Sequence, residues 1–428
     1  MLCIKNGTIV DGINDKAFNA DILINDGRII KISKEIDAEN YKTIDADNMY
    51  IIPGLVDAHC HLREPGFEYK EDIASGTRSA AAGGFTSIAC MANTNPPIDN
   101  AAIVSFIKSR SRSQGIVKVY PIGAITKGLQ GKELTEMGDL KEAGAVALSD
   151  DGYPVYNPNI MQLALQYAKM FNFLLISHCE DMDLVGDGVM NEGYMSTILG
   201  LKGIPRAAEE IMVARDIILA GTLDAPIHIA HVSTKGSVEI IRQAKKAGIK
   251  VSCETAPHYF SATDEWIEEY NTNAKVNPPL RTSVDVEAII EGLKDGTIDI
   301  IATDHAPHSI EDKNTEFDLA TNGISGFETA FSLAYTNLVH TGILSMPQLI
   351  DKMSSTPARL LNIPGGKLME GEMADITIVD PNGSYTVDTN RFYSKGKNSP
   401  FDGCKLRGKI LYTIVDGNIV MEKGKICL

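Results

Sequence analysis

The stretch that decides the fold runs Leu55-Val56-Asp57-Ala58-His59-Cys60-His61-Leu62-Arg63-Glu64-Pro65-Gly66. It continues an apolar run, Ile51-Ile52-Pro53-Gly54, and predicts a buried strand. Residues i and i+2 of a strand share a face. His59 and His61 can therefore meet one metal ion while Cys60 turns away. Two imidazoles at a strand end supply half of a two-metal hydrolase site, and the rest of the chain must bring the other ligands.

Downstream, strand, loop and helix alternate. A helix follows from Tyr69 to Ala82, then strands Thr86–Met91 and Val117–Ile125, Ala145–Ser149, Phe173–Ser177, Ile227–Val232, Lys250–Glu254 and Ile298–Thr303, with helices between them. Eight such strands predict a parallel (β/α)8 barrel. Residues 1 to about 50 differ, with short apolar runs and hairpin signals such as Asn25-Asp26-Gly27. The far end repeats them at Ala374–Asp380 and around Asp416-Gly417-Asn418. Neither end buries much alone, so both are expected to form one small β-sandwich. The predicted division is 1–52 with 364–428 for that sandwich and 53–363 for the barrel. The polar segment Asp304 to Ile324 reads equally as a lid or a surface insertion.

Active sites of such barrels lie at the C-terminal ends of the strands. There stand His59 and His61, Asn93, Asp150-Asp151, His178, His231 and Asp304. Four imidazoles and at least two carboxylates on one rim suit zinc or a similar metal. Strand alternation does not choose between Asp150 and Asp151. His228, three residues before His231, is expected on the opposite face, under the helices. His305 should point away from the metal, His340 into solvent, and His258 reads as either rim or loop support. Cys60 and Cys179 adjoin proposed ligands, but alternation turns both thiols away.

The chain has 428 residues, 22% of them charged, with formal net charge −16. That charge argues against nucleic acid or an anionic membrane as partner. Seven scattered Cys without C-x-x-C predict a reducing, cytoplasmic setting rather than a disulfide framework. Nothing at the start resembles a signal peptide, and no apolar run reaches the ~18 residues of a spanning helix.

The motifs together resemble the cyclic amidohydrolases, and most closely the class I dihydroorotases of the Asp-bridged bacterial type. The resemblance runs from about Gly7 to Gly417. It is carried by Asp57 to Gly66, Met91-Ala92-Asn93-Thr94, Ser149-Asp150-Asp151-Gly152, Ile176-Ser177-His178-Cys179-Glu180, His228-Ile229-Ala230-His231, Glu254-Thr255-Ala256-Pro257-His258, Val276-Asn277-Pro278-Pro279-Leu280-Arg281 and Thr303-Asp304-His305-Ala306-Pro307-His308. It implies two zinc ions per subunit. His59, His61 and Asp304 would hold one, His178 and His231 the other, with Asp151 and a hydroxide as bridges. It implies reversible hydrolysis of dihydroorotate to N-carbamoyl-aspartate in pyrimidine (UMP) biosynthesis, with Asp304 as general base and then acid. Arg63 would take the substrate carboxylate, its fork matching two oxygens. Asn93, Asn277, His308, Asn322 and Gly323 match substrate contacts, although relatives carry Phe-Gly where this chain has Asn322-Gly323. A homodimer and an association with aspartate carbamoyltransferase are compatible with the resemblance. The competing readings are a hydantoinase-like or allantoinase-like enzyme, disfavoured by the Asp at the bridge, and a silent scaffold for aspartate carbamoyltransferase, disfavoured by the complete ligand set.

Overall fold

A computed structural model of the protein describes residues 1–12 and 17–427; residues 13–16 and 428, which fall within the predicted sandwich, lie outside the described residues. The chain opens with β1 (Leu2–Ile9), β2 (Phe18–Asn25), β3 (Arg28–Ser33), β4 (Lys42–Asp45) and β5 (Tyr50–Pro53). The barrel strands follow as β6 (Leu55–Cys60), β7 (Phe85–Cys90), β8 (Lys118–Pro121), β9 (Ala147–Ser149) and β10 (Leu174–Ser177). After a two-stranded excursion, β11 (Met190–Asn191) and β12 (Gly203–Ile204), come β13 (Ile227–Ile229), β14 (Val251–Thr255) and β15 (Ile300–Ile301). The chain ends in β16 (Ile376–Thr386), β17 (Lys405–Val415), β18 (Asn418–Glu422) and β19 (Lys425–Ile426).

Continuous parallel ladders join β6-β7-β8 and β9-β10-β13-β14-β15. Single parallel bridges, Gly123 with Leu148 and Cys60 with His305, close them into an eight-stranded barrel. Several strands are shorter than the sequence suggests because the backbone changes partner at their ends. After Pro121, for example, Ile122 N donates back to Cys90 O at 2.9 Å, but Gly123 N donates onward to Ala147 O at 3.0 Å. The first helix begins at Ile73 rather than Tyr69, because Asp72 caps it, accepting from Ser75 N at 2.7 Å.

Small side chains fill the barrel. Ala58, Ala89, Ala147, Ala230 and Ala302 pack with Val56, Ile176 and Ile300, and the helix Thr356–Leu360 closes the far end through Ala358. The outward residues Phe85, Ile88, Ile227 and Ile229 are fully buried against the surrounding helices. Each contributes about 1.5–3 kcal/mol by leaving water.

Strands from both termini make one nine-stranded sheet, ordered β19-β18-β17-β16-β5-β1-β2-β3 with β4 beside β1. The joint is antiparallel, Ile376 opposite Pro53 and Ile378 opposite Ile51. The sheet wraps as a β-sandwich around Ile4, Ile22, Ile51, Ile376, Ile378 and Ile414. Between β16 and β17 the chain leaves the sheet and lies on the barrel rim. Val387 and Phe401 pack there with Tyr259, Ile267 and Phe317. This excursion brings residues from near the C-terminus to the loops above the barrel.

Candidate metal centre

The strand ends converge as the barrel rhythm suggests. His59 is the penultimate residue of β6, where the register shifts: Asp57 pairs with Ile88 but Cys60 with Cys90, three steps along β6 against two along β7. This bulge re-aims the side chains, so His59 joins the site although Ala58 faces the barrel interior. His231 comes two residues after β13 ends, with φ at 33°, and Asp304 three after β15, with φ at 45°. Turns out of the strands, not strand alternation, aim these two.

Two groups of buried side chains that could hold a metal ion share one carboxylate. His59, His61 and Asp151 form one, and Asp151, His178 and His231 the other; within each, the donor atoms lie within 4.8 Å of one another. Asp151 Oδ1 is 3.3 Å from His59 Nε2, 3.5 Å from His231 Nε2 and 3.9 Å from His178 Nδ1, while Oδ2 is 3.5 Å from His61 Nε2. Asp304 Oδ1 stands 3.1 Å from His61 Nε2 and 3.6 Å from His59 Nε2. Asp150 is occupied elsewhere, accepting from Ile125 N at 2.7 Å, from Thr126 N at 3.0 Å and from the Thr126 hydroxyl.

A second layer fixes which nitrogen of each imidazole faces inward. Glu254 Oε1 lies 2.6 Å from His59 Nδ1, and a carboxylate only accepts, so His59 donates there and presents Nε2. Asn93 Oδ1 does the same for His61 Nδ1 at 2.9 Å. Glu180 Oε2 lies 3.0 Å from His178 Nε2, which turns His178 Nδ1 inward. Such partners orient ligands and raise their basicity. His59 Nε2 and Asp151 Oδ1 are buried without any hydrogen-bond partner. His178 Nδ1 and His231 Nε2 face each other at 2.8 Å, an approach that needs a proton or cation between the two nitrogens. These donors and orphaned atoms fit a pair of divalent metal ions.

The charges agree. Burial alone would lower the His59 pKa, but Asp151, Glu254 and Asp304 raise it well above the ordinary imidazole value. Burial would raise the Asp151 carboxyl, but the charges of His59 and His61 hold it well below the usual range. Asp304 is held down in the same way by His59 and His61. Three acids of the pocket, Asp151, Asp304 and Glu254, thus stay ionised, an arrangement that attracts cations.

Above the ligands lies a cavity of about 180 Å3, lined by Arg63, Asn93, Asn277, Asn322 and Gly323 among others. Arg63 gives Nε to Pro307 O at 3.3 Å and sets Nη2 3.2 Å from His308 Nε2; no carboxylate among the described residues forms an ion pair with it. Asn277 donates Nδ2 to Glu180 Oε2 at 3.1 Å and leaves Oδ1 without a partner. Asn93 is tied to the ligands at both ends, since its Nδ2 donates to Asp151 O at 3.2 Å. Gly323 has φ at +146°, and a Cβ there would come within 2.6 Å of Ala306 O and 2.9 Å of His308 Nε2. Only glycine fits this turn.

His228 does not lie under the helices. The flanking Ile227 and Ile229 do, which leaves His228 facing inward beneath the metal site. There its Nε2 meets Glu254 Oε2 at 3.2 Å and its Nδ1 meets Ser252 Oγ at 2.8 Å. His305 turns away, stacked on Phe327, and His340 is exposed. His258 is buried against Tyr259 with Nε2 unpartnered. Cys60 and Cys179 bond away from the ligands, to Ala89 O at 3.3 Å and Ser177 Oγ at 3.5 Å, and burial pushes both thiols well above their usual pKa. The supporting acids Glu180 and Glu254 escaped the sequence reading, though both stand in motifs beside ligand positions.

The model for a Dihydro-orotase-like family matches residues 48–237. The chain is 60% identical over 422 residues to a dihydroorotase of Acetivibrio thermocellus, covering 99% of each chain. It is 58% identical over 422 residues to that of Ruminiclostridium cellulolyticum, again covering 99% of each. A dihydroorotase of Geobacter metallireducens is 54% identical over 99% of this chain and 100% of its own. Among solved structures, an L-hydantoinase from Arthrobacter aurescens superposes with a TM-score of 0.91 at 28% identity, covering 100% of this chain and 97% of its own. A dihydropyrimidinase from Brevibacillus agri shares the fold, with a TM-score of 0.87 over 99% of this chain and 95% of its own, at 23% identity.

Proposed function

Since the chain belongs to the dihydroorotase family, we propose that its two ligand groups hold two zinc ions with Asp151 between them. The chain is an enzyme that hydrolyses the cyclic amide of dihydroorotate, reversibly, to N-carbamoyl-aspartate in pyrimidine biosynthesis. The observation that supports the metal reading is the sharing of Asp151 by both groups of histidines. Bound there, the metal would bring the pKa of a water to about 7 and polarise the ring carbonyl.

The protein's own groups do the rest. In this reading His59, His61 and Asp304 hold one ion, and His178 and His231 the other. Asp304, 3.1 Å from His61 Nε2, takes a proton from the attacking water and returns it to the departing ring nitrogen. The Arg63 guanidinium, free of carboxylate partners among the described residues, binds the substrate carboxylate through its two-pronged edge. His308 and Asn93 hold that end of the cavity, while Asn277 and the Asn322-Gly323 turn face the ring.

We assign residues 1–52 and 364–428 to the sandwich and 53–363 to the catalytic barrel, with the enzyme working in the cytoplasm. Among the described residues no helix is long and apolar enough to cross a membrane. A homodimer and an association with aspartate carbamoyltransferase are further proposals, open to sizing and pull-down. The central test measures bound zinc together with dihydroorotate hydrolysis and carbamoyl-aspartate cyclisation, before and after chelation. Two zinc ions per chain and activity in both directions, lost on chelation and restored by zinc, are expected. Full activity in a thoroughly chelated protein would overturn the metal reading. Turnover of hydantoin in preference to dihydroorotate would overturn the role of Arg63.

A further inference from the structure

Lys313 is a buried lysine, 5% exposed, in a protein whose lysines are mostly on the surface. It ends the short helix Ile310–Lys313, within the segment that reads from sequence as lid or insertion. Its Nζ donates to three backbone carbonyls: Thr321 O at 2.8 Å, Gly323 O at 3.1 Å and Lys275 O at 3.2 Å. An ammonium has three donors, and each finds an acceptor. The turn it grips is fastened from other sides too. Gly323 N donates to Lys275 O at 3.0 Å, and Asn398 Nδ2, from the excursion between β16 and β17, donates to Gly323 O at 2.9 Å.

The middle residue of that turn reaches the substrate cavity. Asn322 O lies 2.8 Å from His308 Nε2. A carbonyl only accepts, so His308 carries its proton on Nε2. The other ring nitrogen agrees, since Lys70 Nζ, which only donates, stands 3.3 Å from Nδ1. With Nε2 protonated, His308 has no lone pair to offer Arg63 Nη2 at 3.2 Å. That arm of the guanidinium is left to an anion. Burial, and then the charges of Arg63, Lys70 and Lys313, push the His308 pKa far down and keep the ring neutral.

We propose that Lys313 is a positioning residue for substrate recognition. It fixes the turn from Thr321 to Gly323 so that the Asn322 carbonyl holds His308 as its Nε2–H tautomer and leaves Arg63 free for the substrate carboxylate. The proposal rests on the functional reading above. Lys313 touches neither substrate nor metal; it acts through the turn.

The test replaces the ammonium with an apolar chain of similar length, Lys313→Met, in the zinc-loaded enzyme. The expected result is a KM for dihydroorotate raised by about 10-fold or more, with kcat within about threefold of the parent and zinc content unchanged. Amide hydrogen exchange across residues 319–325 should quicken in the same variant. Lys313→Arg, which keeps a cation and its donors, should return KM most of the way. An unchanged KM in Lys313→Met, even with a lowered Tm, overturns the proposal, as does a fall in kcat alone. Should Lys313→Met not accumulate as folded protein, Lys313→Gln, with two donors, carries the same comparison under the same criteria. A parent enzyme without dihydroorotate turnover would instead overturn the functional reading itself.

Discussion

Glu254 is the sharpest place to test how the protein holds its metal. The carboxylate is fully buried at the end of β14, with Oε1 2.6 Å from His59 Nδ1 and Oε2 3.2 Å from His228 Nε2. Both imidazoles donate to it, and burial is outweighed by His59 and His228, which hold its pKa far below the ordinary range. Glu254→Ala leaves two buried N–H groups without acceptors. Each unsatisfied buried donor costs about 1–3 kcal/mol, so about 2–6 kcal/mol of stability should be lost. The effect on the metal has a separate cause. Without Glu254, His59 is free to rotate, to move its proton to Nε2 and to become a poorer ligand. Loss of such a partner weakens metal affinity about 10–100-fold. The assay titrates zinc into metal-free protein against a competing chelator, with denaturant unfolding run on the same samples. Glu254→Gln keeps one acceptor and should fall between parent and Glu254→Ala in both measurements. Zinc affinity within about threefold of the parent in Glu254→Ala would refute the account, whatever the stability change. It would mean that packing alone orients His59.

Asp304→Asn should keep the fold and part of the metal but lose about 100- to 10,000-fold in kcat, measured by dihydroorotate hydrolysis, because the proton carrier is gone. Arg63→Met should raise KM for dihydroorotate with little change in kcat, and an unchanged KM would count against a carboxylate at that position. A pH effect is expected at Glu328, which is not among the candidate metal ligands. Burial raises its carboxyl from 4.5 to about 7, although Ser79 and the Tyr393 and Ser394 amides donate to it. Between pH 4.5 and 7 the folded state therefore holds a proton that the unfolded chain has released, so this group's contribution to stability falls as pH rises through that window. At about 1.4 kcal/mol per pH unit the loss amounts to about 3 kcal/mol at neutral pH. Glu328→Gln removes that dependence, so the variant should gain stability relative to the parent between pH 5 and 7.5 in denaturant titrations, and parallel curves would rule the effect out.

The sequence by itself determined the barrel and which candidate ligands gather on its rim. Strand–helix alternation is written in hydrophobic period, a local property, and in a parallel barrel the strand ends lie on one rim. A histidine or aspartate at such an end is thereby near the others, which is why His59, His61, His178, His231 and Asp304 could be named together. Local pattern failed where the backbone leaves a regular strand. Alternation put His228 on the helix side, yet it faces inward below His59. It was silent between Asp150 and Asp151, whose difference lies in contacts with Ile125 and Thr126 in the loop after β8. His231 and Asp304 enter the site through positive φ, a feature no periodicity encodes.

Only the tertiary structure decided the supporting layer. Glu254 meets His59 across 195 residues of chain and is itself met by His228, and Asn398 reaches Gly323 and Ala306 because the chain between β16 and β17 doubles back over the barrel rim. Lys313 looked like one more polar residue of a surface loop until its three carbonyl partners came together around it. Inner ligands are specified by what they are and by the end of the strand on which they stand. The residues that orient them are specified by what they touch, and those contacts exist only once distant segments have packed.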